Sequence, residues 1–132
     1  MSDYWRQINW KALFIAFFAF YALPSLCSIA IASWMLSTVG PGSFENGPFF
    51  TLAVGLFWWW LVAPVGAGYL AARLASRLPL MHALIVVLVG YLFQVARITD
   101  AVWWLLPAWA LISLAGGFFG AFLWQLHRPR QP

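Results

Sequence analysis

The chain has 132 residues, of which 64% are hydrophobic and only 8% are charged, with a mean hydropathy of +0.86 and a formal net charge of +4. A soluble domain carries about a quarter charged residues, so this composition excludes a water-soluble globular fold and predicts an all-α protein of the lipid bilayer. The positive charge comes from only seven Lys and Arg residues, which favours membrane topology over a nucleic-acid-binding face.

Four apolar runs are about as long as a helix that crosses the hydrocarbon layer, which needs roughly 20 residues. They cover residues 12–38, 49–72, 80–96 and 101–123. The first connection is rich in Gly and Pro, and the other two are short, with Pro79 suited to the first turn of the third helix. Helices joined this tightly are antiparallel neighbours, so we expect one domain, residues 1–132, built as an up-down-up-down bundle of four transmembrane helices.

Three prolines lie inside the predicted spans. Pro24, Pro64 and Pro107 cannot donate to the carbonyl four residues earlier, and each therefore predicts a kink. In hydrocarbon such a carbonyl needs another donor, for which indole N–H groups and the hydroxyls of Ser25 and Ser28 are available. A kink that serves packing is favoured over a functional hinge.

The basic residues predict the orientation of the spans. Each basic residue is assigned to the tail or loop in which it lies. Six of them then fall on one side of the membrane, and they are Arg6, Lys11, Arg73, Arg77, Arg128 and Arg130. The other side has only Arg97. The positive-inside rule then places both termini in the cytoplasm. A signal peptide cleaved after Ala32 is the alternative, but the first apolar run is longer than the usual 7–15 or so residues of a signal-peptide core.

Small residues predict how the helices pack. On a helical wheel of the second span, a small-residue face lies beside Trp60 and consists of Ala63, Pro64, Ala67 and Ala71. Trp58 falls on the opposite, bulky face and is expected to meet lipid. In the fourth span Gly116 and Gly120 form a GxxxG motif, which serves either a homodimer or, as we favour, packing within the chain.

One polar cluster is expected at the outer end of the bundle, consisting of Gln94, Arg97, Asp100 and Glu45. It is either a pocket in which Arg97 holds an anionic group or, as we favour, an Arg97–Asp100 pair that fixes a tight turn. All three acidic residues lie in tails or loops, and the single cysteine, Cys27, has no basic neighbour. The sequence therefore predicts no catalytic set, no metal site, no cofactor and no enzyme activity.

Residues 63–93 read APVGAGYLAARLASRLPLMHALIVVLVGYLF. This stretch resembles the second-to-third helix hairpin of small four-helix bacterial inner-membrane proteins of unknown function, which implies fold and compartment only. In size and span number the chain is also similar to the small multidrug resistance transporters and the small fluoride channels. It lacks the first-helix glutamate of the former and the asparagine-bearing pore motif of the latter.

Two functions are compatible with these features. The first is a non-catalytic polytopic membrane protein that acts through helix–helix contacts, as an accessory or assembly subunit or as an immunity-type protein. Its partners would be the lipid bilayer and another membrane protein or a second copy of the chain, with no nucleic acid. The alternative is a small oligomeric transporter or channel for a neutral or lipophilic solute.

Overall fold

The computed structural model describes residues 7–38, 55, 57–75, 77–96 and 105–128. Within these ranges the chain is helical apart from short turns and contains no strand, which confirms the predicted all-α class. Two helices, Trp10–Ala30 and Leu106–His127, are long and apolar enough to cross a membrane, and Pro79–Val95 is a shorter apolar helix.

The described residues form four helical rods, two of which contain a π-helical segment. The first rod consists of α1 (Trp10–Phe17), the first π segment (Phe18–Ala22) and α2 (Leu23–Thr38). The second rod contains the second π segment (Trp58–Val62) and α3 (Ala63–Leu74). The third and fourth rods are α4 (Pro79–Val95) and α5 (Leu106–His127).

The start of α1 is set by Asn9. Its side-chain oxygen accepts a hydrogen bond from the N–H of Ala12 at 3.2 Å, which satisfies one of the donors that the first turn of a helix leaves unpaired. The helix therefore begins at Trp10, whereas the apolar run predicted a start at residue 12. Pro79 lies in the first turn of α4, as predicted, and follows Leu78, whose φ of 52° places it in the left-handed region.

The prediction that Pro107 interrupts the fourth helix is wrong. Helix α5 begins at Leu106, so Pro107 lies in the first turn, where its missing N–H would have no partner within the helix. The helix ends at His127 rather than at residue 123, because the polar residues after the apolar run continue the same helix.

Glycines set the distance between α3 and α5. A Cβ atom added at Gly120 would overlap the backbone of Val65 and Tyr69, and one added at Gly116 would lie 3.0 Å from the Cβ of Pro64. Both glycines of the GxxxG motif therefore face α3 of the same chain. This close approach of backbones increases van der Waals contact between the helices.

A third glycine, Gly117, allows close contact of α5 with both α3 and α4. The backbone of Gly117 faces Gly68 of α3, and a Cβ at Gly117 would lie 2.7 Å from the side chain of Val87 of α4. Three helices thus meet around one glycine. The small residues predicted for α3 are buried in the bundle, and they are Ala63, Pro64, Ala67 and Ala71.

The outward faces of the rods are apolar. The first rod packs against α3 and α4 through α1, while several large side chains of α2 are exposed in the described structure, among them Leu26, Ile29 and Trp34. Exposed side chains on the other rods are equally hydrophobic, for example Leu88, Leu92, Leu111, Phe118, Phe119 and Phe122. Contiguous apolar surface of this kind is unfavourable in water.

We predict that Gly120→Ala destabilises the protein, because the added methyl group overlaps backbone atoms that have no alternative rotamer. The cost is about 1–3 kcal/mol, typical of overpacking, and appears as a lower thermal unfolding midpoint in detergent. Gly55→Ala is the matched control, since nothing lies within 4 Å of a Cβ at that position. Equal midpoints for the two variants would contradict the α3–α5 packing.

Candidate functional site at the contact between two π segments

Each π segment lies just before a proline. Pro24 follows the segment Phe18–Ala22, and Pro64 follows the segment Trp58–Val62, in both cases with one residue in between. Proline has no N–H and cannot donate to the carbonyl four residues earlier. The two sequences, FAFYALP and WWWLVAP, share an aromatic-rich stretch at the same distance before the proline.

The backbone adapts to each proline by widening one turn. The N–H of Leu23 donates to the carbonyl of Phe18, and the N–H of Ala63 donates to the carbonyl of Trp58, in each case five residues back instead of four. Such π turns are rare in proteins and are frequently found at functional sites. The described residues contain two of them, and their side chains meet.

Aromatic rings from the two π segments stack in pairs. The centroid of Phe20 lies 6.5 Å from that of Trp58, with an interplanar angle of 18°. Tyr21 lies 6.1 Å from Trp59 at 24°. Aromatic pairs in such arrangements add about 0.5–1.5 kcal/mol beyond the burial of their area. The π segments therefore connect the first rod to the second.

The third tryptophan of the triplet contacts a different helix. Trp60 stacks on Trp109 of α5, with ring centroids 6.0 Å apart. The expectation that Trp58 faces lipid is wrong, because its ring packs on the first rod and its indole nitrogen is buried. All three indoles face neighbouring helices. We call this set the aromatic junction, and it consists of Phe20, Tyr21, Trp58, Trp59, Trp60 and Trp109.

Two glycines make room for the rings of the first π segment. A Cβ added at Gly66 of α3 would overlap the ring of Phe20, and one added at Gly90 of α4 would overlap the ring of Tyr21. The Tyr21 side chain is only 1% exposed as a result. Its position is determined by α4 as much as by its own helix.

Buried polar atoms without a hydrogen-bond partner are concentrated at the junction and beside it. Within the described residues there are four, one from each rod, and they are Tyr21 Oη, Trp58 Nε1, Gln94 Oε1 and Trp109 Nε1. Each unpaired buried group costs about 1–3 kcal/mol. Neighbouring groups are paired, since the hydroxyl of Tyr91 donates to the carbonyl of Leu106 at 3.0 Å. The junction therefore combines aromatic surface with unused hydrogen-bonding capacity.

Only one residue of the predicted outer polar cluster lies in the described part of the chain. Gln94 is buried, with 7% of its surface exposed, on the turn of α4 that follows Gly90. Arg97, Asp100 and Glu45 lie outside the described residues, and the cluster stays a prediction.

The opposite end of the bundle is held by a hydrogen-bonded contact around His82. Its side chain is 0% exposed, and its Nε2 accepts a hydrogen bond from the backbone N–H of Asn9 at 2.7 Å. Its Nδ1 lies 2.9 Å from the carbonyl oxygen of Leu78, to which it donates. These two bonds together require the neutral imidazole with its proton on Nδ1.

Asn9 extends this contact to a third helix. Its side-chain Nδ2 donates to the carbonyl of Leu74 at 3.3 Å, so that Asn9 joins the start of α1 to the end of α3 and, through His82, to the start of α4. His82 lies in the first turn of α4, yet its side chain is in the protein interior, where it pairs with a residue 73 positions away in sequence.

Exposed basic side chains surround this end. Four of the six predicted basic anchors are described, all of them exposed, and they are Lys11, Arg73, Arg77 and Arg128. Arg6 and Arg130 lie outside the described residues. No Asp or Glu is among the residues that the structure describes, so the charge of these four cations is not balanced there.

The described residues contain no group of three or more His, Cys, Asp or Glu side chains that could hold a metal ion. Cys27 is exposed on α2. Comparisons with protein families, with curated proteins and with solved structures found no match to this chain. The geometry of the site is therefore the basis of the functional argument.

We predict that Trp58→Ala and Trp60→Ala each lower the thermal unfolding midpoint in detergent, because each indole stacks on a ring of another rod. The loss is about 1 kcal/mol or more for either variant. Phe57→Ala is the control, since Phe57 is 60% exposed in the same stretch. If Trp58→Ala behaved like Phe57→Ala, Trp58 would face lipid after all.

We also predict that His82→Phe loosens the start of α1. The N–H of Asn9 loses its acceptor, at a cost of about 1–3 kcal/mol, and the amides of the first turn of α1 exchange faster with solvent. His127→Phe is the control, because His127 is exposed and, among the described residues, its side chain hydrogen-bonds only to the carbonyl of Leu123 in its own helix. Equal exchange in both variants would show that His82 does not hold the N-terminal helix.

Proposed function

We propose that the chain is a single-domain integral membrane protein of four spans, residues 12–38, 49–72, 80–96 and 101–123, in the bacterial inner membrane. Two helices long and apolar enough to cross a membrane support this placement. The apolar outward faces support it further, because lipid is the solvent that such surfaces require. We propose that the shorter second and third rods also cross the membrane, because they pack against these two helices.

The distribution of charge supports an orientation with both termini in the cytoplasm. Asn9 brings the ends of α1, α3 and α4 together. The ring of Tyr69 contacts that of His127 at 6.4 Å, which places the end of α5 near the same level. The exposed cations of the described residues flank these helix ends, and the positive-inside rule assigns such an end to the cytoplasm.

Within the bilayer, the protein acts through helix–helix contacts and not through catalysis. The observation that carries this proposal is the apolar surface of α2, on which Leu26 and Ile29 are exposed. The small-residue surfaces of α3 and α5 are already used inside the chain, so Gly116 and Gly120 do not serve a homodimer. An accessory or assembly subunit, or an immunity-type protein, uses such a face to bind another membrane protein.

A second candidate function is a small oligomeric carrier or channel for a neutral or lipophilic solute. The buried unpaired atoms Tyr21 Oη, Gln94 Oε1 and Trp109 Nε1 favour it. Hydrogen-bonding groups inside an apolar bundle are the means by which transported solutes are bound. The described part of the chain offers no buried charged residue for ion coupling.

The topology predicts that reporters fused after Gly42 and after Gln131 lie on opposite sides of the membrane. A phosphatase reporter should be active only after Gly42, and a cytoplasmic fluorescent reporter should be bright only after Gln131. Matching signals at both positions would contradict the four-span arrangement.

Purification from native membranes at natural abundance tests the function. A partner protein that remains bound at fixed stoichiometry supports the helix-contact function. This partner should be lost in the Ile29→Asp variant and retained in the Leu111→Asp variant. Both residues are exposed, but they lie on different rods. A homo-oligomer that moves solute across liposomes would contradict it and establish the second candidate.

A further inference from the structure

Helices α3 and α5 run in the same direction and end side by side at the basic end of the bundle. Gly120 lets them approach closely, because a Cβ atom there would overlap the backbone of Tyr69. Beyond this contact the ring of Tyr69 lies edge-on to that of Trp124, with centroids 6.1 Å apart, and contacts the ring of His127 at 6.4 Å. The last turns of the two helices therefore share one surface, with aromatic rings between them.

Each of the two helices places an arginine at this surface. Arg73 lies four residues after Tyr69 in α3, and residues four apart share one face of a helix. Arg128 lies four residues after Trp124, at the position that ends α5. Both arginine side chains are exposed. The contact between Tyr69 and Trp124 thus brings the two arginines to the same edge of the bundle.

The described residues offer these arginines no acidic partner, because no Asp or Glu is among them. The whole sequence contains three acids, and two of these, Glu45 and Asp100, belong to the predicted outer loops. Asp3 alone remains on the basic side. Two like charges on adjacent helices repel each other, and nearby hydrocarbon weakens the screening that bulk water provides.

The helix ends offset only part of this repulsion. The carbonyl end of a helix carries a partial negative charge equivalent to about half an elementary charge. The ends of α3 and α5 together therefore leave about one positive charge of the arginine pair without compensation. A singly charged phosphodiester has the opposite charge, and its oxygens match the donor geometry of guanidinium groups.

We propose that Arg73 and Arg128 together bind the phosphate group of one anionic phospholipid at the cytoplasmic surface of the membrane. The two guanidinium groups donate to the phosphate oxygens from neighbouring helices. The glycerol part of the lipid lies beside Tyr69 and Trp124, since amphipathic rings are favoured at the level of the head groups. The proposal gives one specific lipid site per chain, and it rests on the membrane placement proposed above.

The surroundings of the arginines favour a lipid over a soluble phosphate ion. Apolar side chains are exposed at the same level, with Leu74 38% and Leu126 65% exposed. A soluble ion leaves these side chains against water, whereas the glycerol and the upper acyl carbons of a phospholipid cover apolar surface near them. The acyl chains also keep the phosphate at the level of the arginines.

Lipid selection by the purified full chain tests the proposal. The protein in detergent is offered equal amounts of phosphatidylglycerol and phosphatidylcholine with identical acyl chains, and bound lipids are counted by native mass spectrometry. We expect one phosphatidylglycerol per chain, retained at least about ten-fold more strongly than phosphatidylcholine. Excess inorganic phosphate should not displace it. Displacement would assign the site to a soluble anion and overturn the lipid proposal.

Single substitutions separate a specific site from a general effect of charge. Arg73→Gln and Arg128→Gln should each lower the preference for phosphatidylglycerol by about five-fold, as expected for the loss of one basic contact with an anionic lipid. Lys11→Gln is the matched control, because it removes the same charge from an exposed residue at the same end of the bundle, but on α1. Its preference should change by less than about two-fold.

Two further outcomes would overturn the proposal. Equal retention of the two lipids by the native chain would exclude the site, and equal losses in Arg128→Gln and Lys11→Gln would show a diffuse attraction by net charge. The thermal midpoint of each variant is recorded as a check of folding, and the native chain decides if a variant unfolds. Reporters on the predicted sides, combined with no lipid preference, would overturn this site alone and leave the membrane placement intact.

Discussion

The missing N–H of proline is the constraint on which the rest of this bundle depends. Pro24 and Pro64 each remove one backbone donor from a long helix, and each helix responds with a π turn. A π turn widens the helix locally and changes the direction of the side chains around it. Here the two widened turns carry aromatic residues that stack on each other, so a local irregularity in two helices provides a contact between them.

The two ends of the bundle use different physical means. At the basic end, His82 and Asn9 pair their polar groups within the protein and hold three helices together. At the aromatic junction, the rings fill space provided by Gly66 and Gly90, while several buried polar atoms stay unpaired. The first arrangement favours rigidity. The second leaves hydrogen-bonding groups unpaired among aromatic rings.

Local pattern was enough to predict some elements of the site but not others. The small-residue face of α3 was predictable because it follows from spacing within one regular helix. The orientation of Trp58 was not, since a helical wheel assumes a constant advance per residue, and the π turn at Trp58–Val62 adds a residue to one turn. The repeated spacing in FAFYALP and WWWLVAP was the available signal for both π segments, and it becomes meaningful only once the two are in contact.

By itself, the sequence determined the all-α class, the apolar character of the helices and the burial of alanine and glycine on α3, because composition and short-range periodicity act within single helices. It also determined that basic residues gather near one set of helix ends. Only the tertiary structure decided that His82 is buried, that Gly116 and Gly120 face α3, and that Tyr21 lies against Gly90. These contacts join residues far apart in the chain, and their partners are selected by the relative positions of the helices, which no local pattern contains.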